Sequence, residues 1–228
     1  MKISSDLIKN DVPAEGQLEE NDCVSFCFKN GANLKILFLG NSITRHGKAE
    51  NLGWFGDWGM AASEKQNDYV HRLVNLLEKD GKSVSYCVAN LSEWERCGDM
   101  SLLKTRYAAA RGFCADLIVV RLGENANLTV RLEEFKPQYA QMVKYFAEDG
   151  ARILLTDLFW EYPPFDGFVK DFAEEKGYTF VKLHDLGSDD NMKAVGKFAH
   201  EGVAAHPGDE GMAEIAERIF KAITECGK

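Results

Sequence analysis

Three groups of residues in this chain have the types and spacing that acyl transfer needs. Ser42 follows the apolar run Ile36–Leu39 within Lys35-Ile-Leu-Phe-Leu-Gly40-Asn41-Ser42-Ile43-Thr44-Arg45-His46-Gly47. A serine just after a strand is ordinarily a turn former or a helix N-cap. It serves as a nucleophile only where the rest of the chain supplies a base and an oxyanion site. The candidate base is His206, in His200-Glu201-Gly202-Val203-Ala204-Ala205-His206-Pro207-Gly208-Asp209. The proline after it suits the first turn of a helix, so His206 belongs to a loop rather than to a core stripe. Asn125, in Arg121-Leu122-Gly123-Glu124-Asn125, offers a neutral amide donor suited to an oxyanion that develops only during reaction. Its alternative role is that of a turn residue capping the next helix.

These residues meet only if the elements before them deliver them to one edge. From Leu34 onward, short apolar runs alternate with amphipathic segments. Strands are expected at Ile36–Leu39, Ser83–Ala89, Ala115–Leu122, Ile153–Phe159 and Tyr178–Leu183. Helices are expected at Asp68–Asp80, Met100–Gly112, Arg131–Asp149, Phe165–Lys176 and Pro207–Glu225. This order argues an α/β fold, a three-layer α/β/α sandwich around a mainly five-stranded parallel sheet. Right-handed crossovers then place every strand C-terminus on one edge, so Gly40, Asn90, Gly123 and Asp157 should cluster there.

The bulk properties narrow the class. The chain has 228 residues, 27 Lys and Arg against 36 Asp and Glu, and a net charge of −9. Such a surface repels phosphate backbones and anionic lipids, which argues against nucleic-acid and membrane partners and leaves a small-molecule or oligosaccharide substrate open. No apolar run approaches the roughly 20 residues of a membrane span. Met1-Lys-Ile-Ser-Ser-Asp lacks an apolar signal-peptide core, so a cytoplasmic protein is expected. The six cysteines form no CxxC pair and no zinc-like cluster; they read as reduced thiols, with no metal and no cofactor. Residues 1–33, with one plausible strand at Cys23–Lys29, read as an extension packed on a catalytic domain at 34–228.

The ordered blocks resemble the SGNH hydrolases, also called GDSL-type esterases. Gly40-Asn41-Ser42 stands for their usual Gly-Asp-Ser, Gly123-Glu124-Asn125 for Gly-x-Asn, and His206-Pro207-Gly208 for their histidine block. The resemblance implies a flavodoxin-like fold in which Ser42 attacks an ester carbonyl and His206 takes its proton. The oxyanion hole is then the Ser42 N–H, the Asn125 side chain and a third backbone N–H that the family draws from a glycine after the second strand. No glycine stands there; Glu95 falls nearest, with Gly98 the other candidate. The family's acid lies three residues before the histidine, a place held here by Val203. Glu201 is the substitute expected to orient His206; otherwise the site works as a dyad, or an acid comes from elsewhere in the chain.

Trp54, Asp57 and Trp58 lie in a glycine-rich loop without helical or strand period, and Trp160 follows the fourth strand. They could stack on sugar rings and bind hydroxyls, or simply cover the sheet edge. The wording of the first block and this loop resembles a carbohydrate-deacylating branch. The expected activity is therefore a serine esterase removing small acyl groups, acetyl above all, from a carbohydrate. A lipase or thioesterase acting on longer chains, and an inactive carbohydrate-binding module, are the alternatives.

Overall fold

The computed structural model describes residues 18–147 and 150–225; residues 1–17 of the expected extension and Cys226 lie outside them. In chain order the elements are β1 (Val24–Cys27), β2 (Leu34–Gly40), α1 (Tyr69–Lys79), β3 (Val84–Asn90), α2 (Ser92–Cys97), α3 (Met100–Lys104) and α4 (Ala108–Gly112). There follow β4 (Leu117–Val120), α5 (Leu128–Ala147), β5 (Arg152–Thr156), α6 (Pro163–Lys176), β6 (Thr179–Val181), α7 (Glu201–Ala204) and α8 (Asp209–Glu225).

The strands form one sheet in the order β1-β3-β2-β4-β5-β6. Strands β2 to β6 run parallel, and β1 adds an antiparallel edge to β3. Alternate side chains of the parallel strands face opposite layers, as pleating requires. Leu37, Leu39, Ile118 and Val120 pack with residues of α3 to α6, such as Phe135, Tyr139 and Phe165. Ile36, Phe38, Leu117 and Val119 pack with α1 and α8, through Val70, Leu73, Ile215 and Ile219. Both faces of the sheet are thus covered, which explains why its strands read as continuous apolar runs. The architecture is the expected α/β/α sandwich.

Two local differences bear on the site. The helix expected at Met100–Gly112 is broken into α3 and α4 around Thr105–Tyr107, where Tyr107 turns fully inward. Two short helices, α2 and α7, stand where no helix is expected; both are too short and polar to show an apolar stripe. The chain leaves β2 toward β3 on one side and returns to β4 on the other. The C-terminal end of β2 is therefore the topological switch point, where open α/β sheets form a crevice.

Candidate active site

Ser42 stands in that crevice, two residues beyond the end of β2. The Asn41 carbonyl accepts the N–H groups of Thr44 (2.9 Å) and Arg45 (3.0 Å), so the chain turns sharply as the strand ends. A Cβ on Gly40 would fall 1.7 Å from the Thr44 hydroxyl oxygen, so only glycine allows this turn. The turn leaves the Ser42 N–H without a hydrogen-bond partner among the described residues. Its carbonyl accepts Met60 N–H at 2.8 Å, tying it to the following loop.

The Ser42 Oγ lies 2.8 Å from Nε2 of His206, and the other ring nitrogen, Nδ1, lies 2.7 Å from the carbonyl oxygen of Gly202. A carbonyl only accepts, so Nδ1 carries the proton and Nε2 presents its lone pair to the serine hydroxyl. That is the tautomer a general base needs. Glu201 does not orient the ring, contrary to expectation: it is exposed on α7, and the single turn of that helix aims the Gly202 carbonyl at His206 instead. Burial pushes the His206 pKa down to about 4; the Gly202 carbonyl opposes this, and Arg121 adds to it. Trp160 contributes by standing edge-on to the imidazole, with ring centroids 5.3 Å apart.

Asn125 reaches the same cavity, and its Nδ2 donates one hydrogen to Glu95 Oε2 at 2.6 Å. Neither backbone donor expected to complete the hole is free. The Glu95 N–H bonds the Leu91 carbonyl (2.9 Å) within α2, and the Gly98 N–H caps that helix on the Trp94 carbonyl (2.7 Å). Helix formation by Ser92–Cys97 consumes both. Ser92, at the first turn of α2, lines the cavity, and its hydroxyl has no partner among the described residues. Ser42 N–H, Asn125 Nδ2 and Ser92 Oγ are the donors the geometry offers.

Beneath these groups lies a buried charge network that the motifs did not reveal. Glu95 Oε1 accepts Gly123 N–H at 2.5 Å and Asn41 Nδ2 at 3.2 Å. Glu124 Oε2 accepts the same Asn41 amide at 2.6 Å, and its Oε1 pairs with Arg121 Nη1 at 2.5 Å. Arg121, fully buried, also donates to Asn41 Oδ1. One cation thus faces two carboxylates. Burial tends to raise the Glu124 pKa, but the Arg121 pair outweighs it and holds Glu124 below the usual carboxylate range. Burial, with the nearby Glu124 charge, pushes Glu95 up to about 7 against its three donors. Gly123, at φ +140°, fits here because a Cβ would strike Phe165 and Leu158 at 2.6 and 2.7 Å. The sequence signal was an arginine closing an apolar strand, Leu-Ile-Val-Val-Arg121.

The aromatic loop is placed otherwise than a sugar platform requires. Trp54 is buried, stacks edge-on to Trp58 and donates its indole N–H to the His46 carbonyl; it packs rather than binds. An antiparallel bridge between His46 and Trp58 puts neighbouring side chains on opposite sides of the loop. His46 lines the cavity of Ser42, whereas Arg45, Trp58 and Asp57 line a different one, where Asp57 pairs with Arg45 through both oxygens at 2.9 and 3.0 Å. Asp157 also departs from the expected cluster, since it holds the backbone and imidazole of His184. Among the described residues no group of three or more His, Cys, Asp or Glu is arranged to hold a metal ion, and Cys23, Cys27, Cys87 and Cys97 are in no disulfide.

No family model and no curated protein matches the chain. Solved structures do. A lipolytic protein of the G-D-S-L family from Desulfitobacterium hafniense DCB-2 is 16% identical over 83% of this chain and 99% of that one, at a TM-score of 0.52. A GDSL-like lipase from Parabacteroides merdae ATCC 43184 is 17% identical over 85% and 96%, at 0.58. A family two carbohydrate esterase from Cellvibrio japonicus is 15% identical over 85% of this chain and 61% of that one, at 0.52. At such identities the likeness is one of architecture: the chain has the α/β/α fold of the GDSL-type lipolytic proteins.

Proposed function

We propose that the protein is a carboxylic ester hydrolase of the SGNH type, working through an acyl-enzyme on Ser42. The observation that carries this reading is the Ser42–His206–Gly202 relay, with the serine hydroxyl 2.8 Å from the unprotonated ring nitrogen. As Oγ bonds to the ester carbonyl carbon, its proton passes to His206 Nε2, and the carbonyl oxygen becomes an oxyanion held by Asn125 and the Ser42 N–H. Collapse breaks the C–O bond, and His206 returns the proton to the leaving alcohol. Water, deprotonated by the same nitrogen, then attacks the acyl-serine and releases the acid.

The fold shared with GDSL-type lipases and a carbohydrate esterase supports this chemistry. A cavity of about 220 Å³ supports a short acyl group, acetyl being the simplest, over a long one. The proposed alcohol is a carbohydrate hydroxyl; it rests on the wording of the first block and not on the tryptophans. Trp54 packs and Trp58 faces the other cavity. A fluorophosphonate probe is expected to label Ser42. Ser42→Ala should abolish labelling and lower turnover of p-nitrophenyl acetate by at least about 10³-fold. Unchanged turnover in this variant refutes the assignment, and a p-nitrophenyl ester series from acetate to decanoate that rises with length favours the lipase reading.

A further inference from the structure

Most arginines of this acidic chain are held firmly in place, Arg72 and Arg152 by carbonyl oxygens and five others by carboxylates. Arg45, Arg106, Arg121, Arg131 and Arg218 each form an ion pair with Asp or Glu. Arg96 forms none among the described residues. Its only side-chain hydrogen bond among the described residues is a 3.5 Å contact from Nη2 to Asn125 Oδ1, and it lines the cavity that holds Ser42 and His206. Among the described residues no Asp or Glu lines that cavity, while His46 and His200 do, in a chain whose acids outnumber its bases by 36 to 27.

The backbone that carries Arg96 is fixed. Arg131 reaches across from α5 and donates to the carbonyls of Glu95 (3.3 Å) and Arg96 (2.5 Å), a cation placed at the C-terminal end of α2. Gly98, left-handed at φ +67°, closes the helix. The buried Glu95 behind Asn125 is no partner for Arg96, since its oxygens are taken by Asn41, Gly123 and Asn125. A guanidinium left without an acid, beside the amide expected to hold the oxyanion, has the planar fork that reads a carboxylate or a similar anion.

We propose that the substrate bears a negative charge within reach of its scissile ester, and that Arg96 binds it. This rests on the esterase reading and names the class of ester the site takes: one with a carboxylate, or an anion of like geometry, close to the ester bond. Because Ser42 and Arg96 line one cavity of about 220 Å³, ester and anion are bound in the same cavity. The charge can lie on the alcohol or on the acyl side of the ester, and matched substrates tell these apart.

The test compares phenyl acetate with 4-acetoxybenzoate, which puts a carboxylate on the alcohol side, and phenyl butyrate with monophenyl succinate, which puts it on the acyl side. The quantity read is the charged-to-neutral ratio of kcat/KM in the wild type, Arg96→Gln and Arg96→Lys. In one pair Arg96→Gln is expected to lower this ratio by about tenfold or more, chiefly through KM, as loss of a charge-assisted hydrogen bond implies. Arg96→Lys should restore part of it. Raising the salt to about 1 M, where the screening length falls to about 3 Å, should shrink the ratio in the wild type and not in Arg96→Gln. A ratio equal in wild type and Arg96→Gln for both pairs, with the neutral esters still hydrolysed, overturns the inference alone. Absence of hydrolysis of all four esters, together with no labelling of Ser42, overturns the esterase reading and this inference with it.

Discussion

At the scale of single residues, the proposed esterase chemistry makes the protonation of His206 decide when Ser42 can react. The ring is proton-free on Nε2 above a pKa that burial has pushed down to about 4, well under the usual histidine value. A general base is lost only below its own pKa, so the acid limb of kcat/KM for a neutral ester should lie near 4 rather than 6.5. A second, shallower change is expected near 7, where Glu95 ionises and can accept all three of its donors. Glu95→Gln should remove the change near 7 and leave the limb near 4; a pH–rate profile of both proteins checks this, and a single limb at 6.5 contradicts it. Ser42, Asn125 and His206 were legible in the sequence because each is a polar residue beside the end of an element, in a fixed order. The partner of His206 was not, since a backbone carbonyl leaves no mark on residue identity. Glu95 was singled out for its N–H, whereas it acts through its carboxylate. The aim of a side chain in a short polar helix is set by packing that no local pattern encodes.

At the scale of elements, the site depends on how the loop after Ser42 is anchored. Asp68, fully buried at the N-cap of α1, accepts His71 N–H (2.8 Å), His71 Nδ1 (2.7 Å) and Gly59 N–H (3.1 Å). Met60, next to Gly59, donates to the Ser42 carbonyl, so this carboxylate braces the nucleophile's turn from the helix beneath it. Asp68→Ala removes the cap and leaves two buried donors unmet. The expected cost is about 2–4 kcal/mol. Thermal unfolding should show Tm lower by roughly 5–10 °C for a domain of this size. A shift within 1–2 °C, as for a surface change, contradicts this account. Strands and long helices were readable from their apolar runs and stripes, because burial on both sheet faces writes itself into composition. Helices α2 and α7 were not, although together they carry Arg96, Ser92 and the Gly202 carbonyl.

At the scale of the whole molecule, the sheet order explains why one crevice collects residues so far apart in the chain. Strand β2 is central, β3 and β4 flank it, and the segments leaving all three supply Ser42, Ser92 and Asn125. His206 arrives from the far end of the chain, just ahead of α8, which packs on α1. The segment around β1 has a different task. It pairs with β3 from Val24–Ala89 to Cys27–Tyr86, and the Cys23 carbonyl accepts Asn90 N–H at 2.8 Å. Without β1 the seven-residue strand Val84–Asn90 becomes an open flank of unpaired backbone groups. A chain begun at Phe28 should sediment as dimers or larger species at concentrations where the full chain does not; equal sedimentation of the two contradicts this. The short segment, which lends no described residue to the cavity of Ser42, is thus expected to act as a built-in plug against self-assembly, and its loss would first be seen as turbidity rather than as slower turnover.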